Sequence, residues 1–511
     1  MEPAMRPLLA LATLALILIS PLAVRPAHAQ PGPSAPALAA MPAPFAVERF
    51  VLPNGLQVWV QPRADSQSVV AMLVFRAGAR YERPEEGGIS HFVEHMLFTG
   101  TERWGEDVVK STIAKRGGRW NGWTSYERTT YFAQVAAQDT PVALDWLAEI
   151  AFRSTFPADK IDKERQVIFQ EKSGRYGGFV NALDEMGFGY ELERDVRRAL
   201  YPGSTLGQRV IGEDASLDAI GRAELLAYYQ AHYTPSNATL IVVGRVEPEQ
   251  IGALAERYFA GFAAGERVAP PAAAPATPPG PHRVTVRGPL LTDQTILMLG
   301  ARSVGRSHPD RYALDVLGEL LRAELTEEIR YRRGLVYGLR ASNSAYDDTG
   351  YFVIETSAAG ERRAEIIRLI RDRLASLRAG AIDPLRVEEA RAAVAGRWAL
   401  AMEDNVKRAE YLADWSSLLE PGAPLPDYAG VVGQVTAADV VRVAATYFVP
   451  ATSFEGAHVP AVTVAGGSLW LGALAALGAL AWAWRRLRRR GYAGPLRSIT
   501  PLSRRERGAE G

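Results

Sequence analysis

His91-Phe92-Val93-Glu94-His95 places two imidazoles and a carboxylate within five residues. On a helix, positions three and four apart share a face, so His91 and His95 can hold one metal ion while Glu94 sits beside an open coordination position. A carboxylate so placed can take a proton from a metal-activated water, which is the layout of a hydrolase. Two ligands leave the site incomplete. Residues 162–171 read as helix, and Glu164 and Glu171 lie seven apart on it, two turns along one face. The chain contains 0 cysteines, so disulfides and thiolate ligands are excluded and any metal must use His and carboxylate.

His91, Glu94 and His95, with Glu171 following His95 by 76 residues and Glu164 preceding it by seven, resemble the pitrilysin or insulinase-like zinc peptidases, the family of mitochondrial processing peptidase. Asn121-Gly122-Trp123-Thr124 followed by Thr130-Tyr131-Phe132 is similar to that family's N-A-x-T strand, with Gly122 in place of the usual Ala. Arg330-Tyr331-Arg332-Arg333-Gly334-Leu335-Val336-Tyr337 is similar to its R-x-x-x-G-L-x-Y signature. The resemblance spans roughly residues 45 to 450. It implies one zinc ion per chain on His91, His95 and Glu171, with Glu94 as general base and Glu164 orienting a ligand or the water. It also implies that Tyr337 and Arg330 reach across to the metal centre and donate hydrogen bonds to the substrate carbonyl or oxyanion. Read without the resemblance, Arg330, Arg332 and Arg333 form a solvated basic face at a helix end. Asn121, Thr124 and Tyr131 are the candidate substrate contacts, on an edge strand that offers backbone groups to an extended peptide. Trp120, Trp123 and Phe132 line side-chain pockets or pack in the core.

The elements that must position these groups fall into two halves. Phe50 to Val58 reads as a hairpin in which Asn54-Gly55 supplies the turn. A strand at 69–75 leads to the motif helix, and 238–244 reads as a buried strand. Residues 263–281 form a Pro/Ala linker, extended and stiff. After it come strands at 283–287 and 294–299 and a helix from about His308-Pro309. The order suggests a duplicated α+β unit: a zinc-binding domain over 44–262 and a metal-free homologue over 282–459, both with antiparallel sheets, closing as a clamshell about the linker. Where the second copy should repeat the metal motif, 314–318 read Leu-Asp-Val-Leu-Gly with no His.

Both ends carry targeting patterns. Residues 1–29 resemble a signal peptide with cleavage after Ala29, or an uncleaved anchor. Residues 462–484 are uncharged and long enough for a transmembrane helix, and the arginines of the 485–511 tail place that tail in the cytoplasm and the body in the periplasm, anchored to a bacterial inner membrane. A cleaved sorting tail is the alternative. With 511 residues, 48% of them hydrophobic, the chain can bury a sizeable core, and a net charge of +1 gives no footprint for nucleic acid. The function expected is a zinc-dependent endopeptidase acting on peptides or unfolded segments, paired as a homodimer or with a related subunit. The competing reading is a noncatalytic or partner-dependent scaffold subunit; an intact Glu94 argues against it, because binding alone needs no general base.

Overall fold

Strands form where β-branched and aromatic residues run together. In the first half these are β1 (Glu48–Val51), β2 (Gln57–Pro62), β3 (Ser68–Phe75), β4 (Arg119–Thr124), β5 (Thr129–Ala136) and β6 (Ala238–Gly244). In the second they are β7 (His282–Leu291), β8 (Gln294–Val304), β9 (Val336–Ala345), β10 (Thr349–Ala359) and β11 (Ser453–Val462). The computed structural model describes residues 46–174, 191–276, 278–291, 294–419, 422–462, 476–480 and 482. The expected signal peptide and the 485–511 tail lie outside them.

The first sheet runs β1-β2-β6-β3-β5-β4 and the second β7-β11-β8-β10-β9. Strand β6 is buried along its whole length and β3 from Val69 onward, as central strands covered on both faces should be. The sheets are not wholly antiparallel as expected. β2 pairs with β6 in parallel and β7 with β11 in parallel, while the other neighbours are antiparallel. Both closing strands return after a long helical excursion, the kind of connection a parallel pair requires, and slot in beside the strand that opened the half. Apart from β1, the two sheets thus share strand order and direction.

The β1–β2 turn also differs from the expected two-residue form. Gly55 N donates to Leu52 O at 2.9 Å, making Pro53-Asn54 the central pair, and Gly55 at φ 85° supplies the left-handed residue that follows.

The described helices of the first half are α1 (Ile89–Met96), α2 (Glu106–Thr112), α3 (Thr140–Phe152), α4 (Ala158–Gly174), α5 (Leu192–Leu200), α6 (Asp214–Ala219), α7 (Arg222–His232) and α8 (Pro248–Phe259). Those of the second are α9 (Asp310–Leu325), α10 (Arg363–Arg378), α11 (Pro384–Ala401), α12 (Asn405–Ser416), α13 (Tyr428–Gln434) and α14 (Ala437–Tyr447). Most cover one face of their own sheet, and two cross over. α12, from the second half, lays Val406, Ala409, Leu412 and Trp415 against Trp59, Val70, Met72, Ile241 and Val243 of the first sheet. α5, from the first half, lays Leu192, Val196 and Leu200 against Val286, Met298, Val353 and Phe454 of the second. A fully buried aliphatic side chain contributes roughly 1.5–3 kcal/mol, so each half stabilises the other through several such contacts.

An ionic junction also joins the halves. The Arg80 guanidinium, only 2% exposed, bonds Glu127 at 2.8 Å and Asp348 at 2.7 Å, and Arg128 bonds Asp414 at 2.7 Å. Tyr201, buried, donates to Gly350 O at 2.7 Å. The linker is tied to both sides: Ala272 O accepts from Arg80 at 3.0 Å and Ala274 N donates to Asp348 at 2.9 Å. A freely hinging linker is therefore not what this conformation has.

The transmembrane helix expected over 462–484 is corrected. Among the described residues no helix is long and apolar enough to cross a membrane. Val462 closes β11, and apart from residues 476–480 and 482 the rest of that stretch lies outside the described residues.

Candidate metal centre

The motif helix is held at its start. Gly88 has φ 95°, and a Cβ there would lie 2.7 Å from Gly212 Cα, so only glycine fits between the chain segments that meet at this point. The buried Glu82 carboxylate accepts from Gly88 N and Ser90 N, both at 3.0 Å, satisfying donors that a helix leaves unpaired at its N-terminus. Ile89, Phe92, Val93 and Met96 are fully buried and fix the rotation of α1. That rotation turns His91 and His95, one turn apart with ring centroids at 4.7 Å, toward α4. α4 is held in turn by Arg165, which donates to Ile220 O at 2.9 Å and lies 5.3 Å over the Phe92 ring.

The two helices bring three donors together. Glu171 Oε2 is 3.7 Å from His91 Nε2 and 3.5 Å from His95 Nε2, and ligand atoms from these residues all lie within 4.8 Å of one another. Glu164 Oε2 approaches His95 Nδ1 at 3.3 Å and is 7% exposed, fixing the ring so that Nε2 faces Glu171. Two imidazoles and one carboxylate on a half-open wall suit a zinc ion with a vacant fourth position.

The electrostatics point the same way. Burial acts to lower the His95 pKa, but the hydrogen bonds to Glu164 and Glu171 outweigh it and raise the value. Burial pushes the His91 pKa down, with His95 adding to the effect. The Glu171 carboxyl is held below its ordinary range by its hydrogen bond to His95. Burial pushes Glu94 up to about 7, opposed by its hydrogen bond from Thr124 Oγ1 at 2.8 Å. A carboxyl in that range can both accept and return a proton near neutrality.

These groups line a cavity of about 510 Å³ with Asn121, Trp123 and Thr124 of β4. β4 lies at the edge of its sheet, paired on one side with β5. Asn121 is exposed there. Thr124 faces the cavity too, but its hydroxyl is committed to Glu94. Tyr131 is corrected from substrate contact to core residue: it is fully buried and its hydroxyl meets that of Tyr233 at 2.8 Å. Phe132 and Trp123 pack against each other, ring centroids 5.8 Å apart.

Arg330 and Tyr337 do not line the cavity. Arg330 stacks between Tyr331 and Tyr337, 5.3 and 5.2 Å from their rings, at the end of a π-helical turn (Thr326–Arg332), and Tyr337 is 86% exposed. Arg332 and Arg333 pair with Glu327 and Glu328, as a solvated charged face would.

Sequence reasoning missed Glu82, Phe98, Lys110 and Val167. Phe98 was within reach of it, since it lies four residues after Glu94 where α1 ends; Glu82 and Lys110 are brought in by tertiary packing alone.

Residues 58–175 match the family described as "Insulinase (Peptidase family M16)", and residues 219–394 match the "Peptidase M16 inactive domain". The chain is 30% identical over 316 residues to an uncharacterized zinc protease of Rickettsia felis, covering 61% of this chain and 73% of that one. It is 27% identical over 363 residues to the uncharacterized zinc protease YmxG of Bacillus subtilis, covering 70% and 85%. In fold it is similar to a protease from Helicobacter pylori, with a TM-score of 0.74 at 22% identity over 82% of this chain and 100% of the other. The zinc-ligand pattern on α1 and α4, its absence from α9 and these likenesses agree: the chain belongs to the insulinase family of zinc proteases, peptidase family M16.

Proposed function

We propose that the chain is a zinc-dependent endopeptidase that cleaves extended peptides or unfolded segments. The observation that carries this reading is the convergence of His91, His95 and Glu171 beside a carboxyl with a raised pKa, under an open strand edge. His91, His95 and Glu171 would hold one zinc ion, which when bound lowers the pKa of water toward about 7 and polarises the scissile carbonyl. Glu94 accepts the proton of the attacking water at a carboxylate oxygen and returns it to the leaving amine. Thr124 holds Glu94 in position, and Glu164 keeps His95 turned toward the metal site. The open edge of β4 receives the peptide backbone, with Asn121 bonding an amide or carbonyl.

In the same reading Tyr337 and Arg330 donate to the developing oxyanion. Their position outside the cavity also favours a second reading, in which pairing with another copy or a related subunit completes the site.

Glu94→Gln tests the proposal. It should retain zinc by elemental analysis and lose peptide hydrolysis by roughly 10²–10⁴-fold. Full activity, or loss of the metal, would reject the assignment.

A further inference from the structure

Lys110, on α2, faces the same cavity as Glu94 and is, among the described residues, the one lysine or arginine that lines it. Away from the metal ligands and the two glutamates, the other lining groups are aromatic, apolar or neutral polar. Lys110 Nζ bonds Glu106 at 2.6 Å, but that carboxylate is shared, with Lys160 at 3.0 Å and Lys163 at 3.0 Å. Asp159 adds one distant and exposed contact to Lys160, at 3.8 Å. Three ammonium groups thus share the Glu106 carboxylate, so the charge of Lys110, the member of the three that lines the cleft, is only partly compensated by it. Low-dielectric walls focus such a field on whatever enters.

The place of Lys110 along β4 follows from alternation. Trp120, Gly122 and Thr124 face α1: Trp120 meets Phe98 with ring centroids at 4.7 Å, a Cβ on Gly122 would lie 3.1 Å from Glu94 Oε1, and Thr124 bonds Glu94. Trp120 Nε1 donates to Lys110 O at 3.1 Å, so Lys110 stands at the Trp120 end. That end is two residues, roughly 7 Å, from the Gly122 position beside Glu94. A peptide added antiparallel to β4, the commoner pairing, runs from Thr124 toward Trp120.

We propose that Lys110 is a specificity-determining residue that draws a substrate carboxylate to the cleft about two residues C-terminal to the cleaved bond. The inference rests on the peptidase reading above and adds a substrate class: peptides with an acidic group on the leaving side. A free C-terminal carboxylate at the same distance offers the same chemistry.

The test uses the zinc-loaded full chain and a peptide series in which one Glu or its isostere Gln is moved through the positions around the cleaved bond, with free and amidated C-termini. The Glu:Gln ratio of kcat/KM should be roughly fivefold at the position facing Lys110, the scale of an exposed charge pair, and should shrink in 0.5 M salt. Lys110→Met should bring the ratio to about one, Lys110→Arg should retain it, and Lys110→Glu should invert it. Because each ratio compares two peptides on one protein, loss of folded protein cancels. Amidation that removes a preference confined to peptides ending near that position would identify the terminal carboxylate as the source. An unchanged ratio in Lys110→Met overturns the inference. If no peptide is cleaved, fluorescence anisotropy with chelated protein reads the same ratio in binding: a preference there rejects only the peptidase reading, and equal binding rejects this one.

Discussion

Removing the carboxylate of Glu164 isolates the effect of holding a ligand from that of being one. Glu164 Oε2 lies 3.3 Å from His95 Nδ1 on a side chain 7% exposed, so water is poorly placed to substitute for it. A hydrogen-bonded carboxylate behind a ligating histidine typically strengthens metal binding by about 10–100-fold, or about 1.4–2.8 kcal/mol. Glu164→Gln keeps an acceptor for the imidazole N–H and removes the charge, so it should fall near tenfold. Glu164→Ala removes both and should approach 100-fold. His91 has no such partner for its buried Nδ1 among the described residues, so the whole effect should travel through His95. Competition with a chromophoric chelator at fixed pH gives the zinc affinity, and thermal unfolding of the zinc-free proteins reports any loss of fold. Zinc affinity unchanged in Glu164→Ala would show that His95 is oriented by packing alone and would remove Glu164 from the site.

Tyr337→Phe should lower turnover by roughly 10²-fold at unchanged zinc content if its hydroxyl serves the oxyanion; normal turnover would leave the second half without a part in the chemistry. Leu412→Ala, on α12 against the first sheet and 1% exposed, should cost about 2–5 kcal/mol and lower the single unfolding transition of both halves together, whereas two separated transitions in calorimetry would refute the interlock. Burial pushes the Asp315 carboxyl up to about 6, against the favourable effects of Arg311 and the hydrogen bond from Tyr428. The unfolded chain therefore ionises first as pH rises from about 4, and the folded state loses stability up to about pH 6, by roughly 3 kcal/mol for about two units. Asp315→Asn should lack this loss, so its stability relative to the parent should rise from pH 4 to pH 7; a constant difference in denaturant titrations would contradict it.

Much of this molecule was legible because its periodicities are local. The buried strand at 238–244 and the start of α9 follow from short runs of apolar residues and a Pro, and the zinc pair follows from helical spacing. What sequence concealed was pairing at a distance. No local signal marks β6 as the strand that enters parallel to β2, or sends Tyr131 inward while Asn121, across the β4–β5 ladder, stays exposed. The apolar run beginning at Val462 reads as a membrane span by composition, yet its first residue is the last of β11, already paired with Leu291. Lys110 lies on a short helix with no motif, and only the fold carries it to the cleft.

The crossing of α12 onto the first sheet bears on how the molecule comes into being on a ribosome. Every proposed metal ligand has been synthesised by Glu171, but the sheet behind them keeps Trp59, Met72 and Ile241 uncovered until residue 416 has emerged. At about 5–20 residues per second the delay between the end of the first half and its cover is roughly 10–30 s. During that interval the apolar face of the first sheet that α12 covers has no partner from the second half. Completion of the fold behind the candidate metal centre is thereby coupled to near-completion of the polypeptide.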